Sequence, residues 1–277
     1  MILKNKNDKF VLVISVVITI LSAYCAIRGF VDESLYSNII STGVFKMAFM
    51  PGTTSQDIIT IISTPIMLIL VALYSKRKDM RLFVSVIGLL SFYFYGYGTY
   101  VFSVLYTSVY LVYMIIFMLS IFGIIVGVSG FESKDISRLS LPKWLRVSSA
   151  AFLILIVCIF VPMWITGMMP HIQAHTVPDF YAIYILDLCI VMPFFVTVIY
   201  MLLRNIKNVN IWLGVALLKT ITLILSVAIG EFTVSAHGME VDKTMVAIYS
   251  VITLVSSVLF IFYCLKLKYS AESINSR

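Results

Sequence analysis

The chain has 277 residues, of which 61% are hydrophobic and 12% charged, and its mean hydropathy is +1.05. Soluble domains lie nearer about 45–50% apolar and about 25% charged, so an ordinary water-soluble globule is excluded; intrinsic disorder is excluded too, because disordered chains are poor in large apolar residues. The formal net charge of +7 reads as a membrane-topology signal and an attraction to anionic lipid headgroups rather than a nucleic-acid footprint.

A hydrocarbon layer of about 30 Å takes about 20 apolar residues of helix, and every backbone polar group inside it must be bonded internally. Eight stretches meet that requirement. The first, residues 10–29, follows Lys4, Lys6 and Lys9 and reads as an uncleaved signal anchor, because it exceeds the apolar length of a signal peptide and no A-x-A site follows it. The second, 58–75, carries Pro65 at its middle. The third and fourth, 82–101 and 105–127, are joined by a short segment; a turn at 96–98 instead would leave a third span of about 14 residues, too short to cross. After the longest inside loop, 128–146, come 147–167, 181–203, 211–230 and 245–265. The expected fold is a single all-α transmembrane bundle over residues 1–277.

All but four of the 20 Lys and Arg flank alternate loops and the two chain ends, and basic residues near short loops stay on the cytoplasmic side. Lys4, Lys6, Lys9, Lys76, Arg77, Lys78, Arg81, Lys134, Arg138, Lys143, Arg146, Arg204, Lys207, Lys266, Lys268 and Arg277 thus mark one face. Lys46 and Lys243 lie opposite, and Arg28 and Lys219 fall within spans. Both termini are expected in the cytoplasm and the chain in a plasma membrane. Cys25, Cys158, Cys189 and Cys264 sit singly in different spans, which argues against a disulfide framework or a thiolate metal site.

The 128–146 loop divides the spans four and four. Each half has an acid, a proline and an arginine in order, Asp57, Pro65 and Arg77 against Asp187, Pro193 and Arg204, a weak parallel-repeat signal. Residues 93–113 hold seven of the sixteen tyrosines. Tyr93, Tyr97 and Tyr100 fall at i, i+4, i+7, and Tyr106, Tyr110 and Tyr113 repeat the spacing, so each set would make one helical stripe. The stripes could face each other across a hairpin and offer phenol groups to a polar-lined pocket; simple packing is the competing reading. Gly123 and Gly127 form GxxxG, which permits close helix approach.

The aromatic hairpin from Tyr93 to Tyr113, the Asp187-Leu188 to Pro193 stretch and the basic turn from Arg204 to Lys207 resemble a family of bacterial multi-span cytoplasmic-membrane proteins with no assigned function. That resemblance implies location and architecture alone. This chain has Tyr95-Gly96-Tyr97 where the family favours Tyr-Asn-Tyr, and Tyr106-Thr107 where it favours an aromatic residue followed by Asn.

An ionisable group at bilayer depth costs roughly 2.5–3.5 kcal/mol, so it is expected to face the interior with a partner. Asp187 and Lys219 lie about 9 Å and about 16 Å below the outer ends of their predicted spans at roughly 1.5 Å per residue. An ion pair between them is expected, with Arg28 as a competing partner for the acid; a clamp fixing helix register is the alternative to a transport or proton-relay role. All three histidines fall outside among acids: His171 and His175 near Asp179, and His237 near Glu231, Glu240 and Asp242. Imidazoles with carboxylates suit zinc or copper, so His171, His175, His237 and Glu231 form a candidate metal set beside the alternative of a solvated polar loop. No Gly-rich phosphate loop, HExxH, GxSxG or CxxC is present, and neither a cofactor nor nucleic acid is expected.

Three functions compete on these grounds. The favoured one is a small-solute or ion transporter, or a substrate-binding membrane subunit, using Tyr93, Tyr97, Tyr110, Tyr113, Asp187, Lys219 and Arg28. An accessory or sensory subunit, packed on a protein partner or a second copy, rests on GxxxG. A membrane-embedded metal-dependent enzyme rests on the histidines.

Overall fold

The computed structural model describes residues 5–32, 34–43, 47–132, 136–206 and 208–269. Of the cations used above to read sidedness, Lys4, Lys46, Lys134, Lys207 and Arg277 lie outside them. The described chain is all-α apart from one two-residue strand pair. Eight of its helices are long and apolar enough to cross a membrane. They are α1 (Asp8–Val31), α3 (Met50–Arg77), α4 (Met80–Phe102), α5 (Tyr110–Ser129), α6 (Lys143–Ala174), α7 (Tyr181–Leu203), α8 (Val209–Thr233) and α9 (Lys243–Lys266). A short helix, α2 (Ser34–Ile40), follows α1.

The bundle has a basic end and an acidic end. At the basic end Lys78 pairs with Asp8 at 2.7 Å and the Tyr74 hydroxyl donates to the same carboxylate. Asn5 and Asn7 donate to the Gly127 and Val126 carbonyls, and Arg81 donates to Leu267 O at 2.8 Å. Strands β1 (Leu139–Ser140) and β2 (Lys268–Tyr269) pair antiparallel there. Asp79 caps α4 through Arg81 N, and at the acidic end Asp242 caps α9 through Thr244 N and Met245 N, as an aspartate at that position does.

Helix α4 is the hub, with 78% of its apolar window buried against 17% for α9. Close approach around it is bought with small residues: a Cβ at Gly88 would meet Leu218, and one at Gly214 would meet Val84 and Tyr263. Gly123 and Gly127 face Ile14, Leu90, Ile87 and Val11, so the GxxxG seats α5 on α1 and α4 within one chain rather than on a partner.

Several span limits differ from the sequence reading. Helix α3 begins at Met50 instead of residue 58, with Pro51 in its first turn where its missing N–H costs nothing. Helix α5 begins at Tyr110 instead of 105; α4 ends with Val104 in the left-handed region (φ 57) and Leu105 N–H bonded to Tyr100 O, a Schellman closure usually made by glycine. Tyr106 is therefore off the helix. Helix α6 runs through Pro162 and Pro170 to Ala174, beyond the expected span end at residue 167.

Candidate functional site

Two buried carboxylates organise the acidic half of the bundle. Asp57 lies seven residues into α3, about 10 Å from its start at roughly 1.5 Å per residue, and is 2% exposed. Tyr36 of α2 donates to its Oδ2 at 2.7 Å, and the Tyr100 hydroxyl lies 3.4 Å from Oδ1 and 3.2 Å from Thr53 O. A methyl group at Gly29 would overlap both Asp57 Oδ2 and the Tyr36 hydroxyl. Only glycine in α1 lets this pair form. Among the described residues no Lys, Arg or His forms an ion pair with Asp57.

The tyrosine stripes do face each other: Tyr113 lies 5.6 Å from Tyr97 and 5.0 Å from Tyr100, centroid to centroid. Two of their hydroxyls point to α3 and α1: Tyr93 reaches Ser63 Oγ at 3.0 Å and Tyr97 donates to Ser22 O at 3.0 Å, whereas Tyr110 closes on Val101 O of α4 at 3.0 Å. These four residues fasten α4 and α5 into the bundle and do not line the cavity described next.

Asp187 belongs to the other face of α4. It opens a five-residue π-helical segment, Asp187–Val191, closed by Met192 N–H to Asp187 O. Pro193 follows directly; its ring and missing N–H disrupt the bond to the carbonyl four residues back, and a widened turn absorbs that conflict. Asp187 is 3% exposed, and Trp164 Nε1 of α6 donates to its Oδ2 at 2.8 Å.

Lys219 of α8, also 3% exposed, places Nζ 3.8 Å from the centre of the Tyr95 ring and makes no hydrogen bond among the described residues. Tyr95 in turn interacts with Asp187. The expected direct ion pair is thus replaced by a Lys219–Tyr95–Asp187 arrangement in which the ring takes the ammonium, a favourable cation–π contact. Arg28, expected to compete for Asp187, instead bonds Asp32 at 2.8 Å at the helix end. The Ser34 hydroxyl and then this guanidinium hold the exposed Asp32 carboxyl below its usual range.

A cavity of about 440 Å³ runs from the acidic end into the bundle between α6 and α7 on one side and α3, α4, α8 and α9 on the other. Its inner wall includes Phe92, Tyr95, Phe195, Thr220 and Asp187, and its mouth includes Glu231, Met239 and Glu240. Gln56 also lines it, lying so close to α4 that any side chain at Gly96 would overlap its amide; an asparagine there could not be accommodated without moving Gln56.

The histidines are not brought together. His171 Nδ1 lies 3.0 Å from Thr176 Oγ1, His175 caps α6 with φ 54, and His237 Nε2 lies 3.2 Å from Thr54 Oγ1. Among the described residues no three His, Cys, Asp or Glu side chains group as a metal site needs. Glu231 turns up instead at the cavity mouth. Sequence reading noted Asp57 only as an element of the repeat and missed Tyr36, Tyr95 and Trp164; the run Thr53-Thr54-Ser55-Gln56-Asp57, polar within an apolar helix, was the signal for the first. No family model, no curated protein and no solved structure matches this chain.

Proposed function

We propose that this is a multi-pass membrane protein that binds a small solute in the cavity of its acidic half, as a transporter or as the substrate-binding subunit of one. It lies in a bacterial cytoplasmic membrane with both termini inside and the cavity mouth outside, in keeping with the family resemblance and the basic-residue distribution. One observation carries the reading. An opening of about 440 Å³, within the roughly 300–1,000 Å³ typical of small-molecule sites, has the buried Asp187 in its wall. A carboxylate at bilayer depth is costly to keep and marks a functional position.

Ser226 lines this cavity and offers a conservative test. In a chain with its four cysteines replaced, Ser226→Cys should react from outside intact cells with a membrane-impermeant thiol reagent. A thiol that reacts from neither side, or only from the cytoplasm, would overturn the reading.

A further inference from the structure

We infer that the solute is an organic cation, most simply a protonated amine carrying an aromatic or branched apolar body; this rests on the solute-binding reading and deepens it. The charges lining the cavity are of one sign. Asp187, Glu231 and Glu240 contribute carboxylates, and among the described residues no Lys, Arg or His lines it. Lys219, the buried cation nearest to Asp187, does not line the cavity, and its ammonium is held over the Tyr95 ring.

The walls are largely aromatic. Phe92, Tyr95, Phe160, Trp164, Phe195 and Tyr249 present rings along the cavity, and ring faces attract cations as well as apolar groups. At its inner part the wall carries the Asp187 carboxylate, which attracts a protonated amine and repels a carboxylate or phosphate. An acidic mouth, a ring-lined passage and a buried carboxylate at depth together form a site for a molecule with a cationic head and an apolar body.

The Ser226→Cys chain measures this directly. Trimethylammonioethyl methanethiosulfonate and sulfonatoethyl methanethiosulfonate carry opposite charges to the same thiol, and their rate ratio is taken relative to that on free mercaptoethanol. The cationic reagent should gain about tenfold or more, the lower end of the enrichment that a charged cleft produces. Glu231→Gln with Glu240→Gln should reduce the gain, and Asp187→Asn should reduce it further; the mouth variants keep the test alive if the Asp187 variant does not fold. Phenethylammonium should slow labelling, and phenylpropanoate should not. Reaction of both reagents at their free-thiol ratio, or equal protection by both phenyl compounds, would overturn the cation assignment while leaving a solute site. Reaction with neither would remove the solute site itself.

Discussion

Asp57 and Asp187 are equally hidden, at 2% and 3% exposure, yet their surroundings differ in kind. Both oxygens of Asp57 meet tyrosine hydroxyls, and α1, α4 and the short α2, which supply Gly29, Tyr100 and Tyr36, close tightly around it. Asp187 accepts from Trp164, interacts with Tyr95 and has an open cavity beside it. A carboxylate enclosed by its partners works as a clamp, whereas one in a cavity wall is available to a ligand. Burial alone does not separate the two; the space beside them does.

The largest expected effect tests the clamp. Asp57→Ala leaves the Tyr36 hydroxyl without its acceptor and the Tyr100 hydroxyl with Thr53 O alone, and an unsatisfied buried group costs about 1–3 kcal/mol, so thermal unfolding in detergent should show a loss of about 3 kcal/mol. An unchanged midpoint would break the comparison. Gly29→Ala should follow at about 2 kcal/mol, through overlap rather than lost bonding, and combining it with Asp57→Ala should give much less than the sum.

On the open side, Asp187→Asn keeps an acceptor for Trp164 and should cost about 1 kcal/mol, clearly less than Asp57→Ala, while weakening cation protection of the Ser226→Cys thiol. Its coupling with Lys219→Met, read from a double-mutant cycle, should be about 0.5–1 kcal/mol; strict additivity would show that Tyr95 transmits nothing between them. Tyr95→Leu should be about 1 kcal/mol less stable than Tyr95→Phe, which retains the ring under Lys219.

The smallest effect gives an exposed reference. Asp32, held below its usual range by Ser34 and Arg28, contributes stability that is present above the unfolded value of about 3.9. That contribution is lost as pH falls through the lower folded value. The gap in thermal midpoint between the wild type and Asp32→Asn should be small near neutrality and close on acidification. A gap that widens would reverse the assigned sign.

The eight apolar helices and the facing tyrosine stripes were legible because both rest on local periodicity and length, which hydropathy reports directly. Helix ends were less so. Val104, His175 and Asn205 occupy left-handed positions at the ends of α4, α6 and α7 without the glycine that signals such closures. The site divided differently from expectation because α4 presents Tyr95 and Tyr97 to opposite sides, two residues being about 200° of helix. Spacing grouped Tyr93, Tyr97 and Tyr100 correctly on α4 but carried Tyr106 onto a helix that begins only at Tyr110, and which face met Asp187 depended on where α1, α3, α6 and α8 packed, which nothing local encodes. Arg28 illustrates the same limit: its partner Asp32 is four residues away, while the helix that carries Asp187 is far along the chain.

The π-helical segment at Asp187 has one further consequence. A turn closed five residues back instead of four carries one residue in excess, and each residue of an ordinary helix advances the winding by about 100°. Excising a single residue between 188 and 191 would therefore swing the amino-terminal part of α7 by that angle, turning the Asp187 carboxylate off the Trp164 indole. The widened turn is the angular offset that lets a helix whose lower half packs by one face deliver an acid from another.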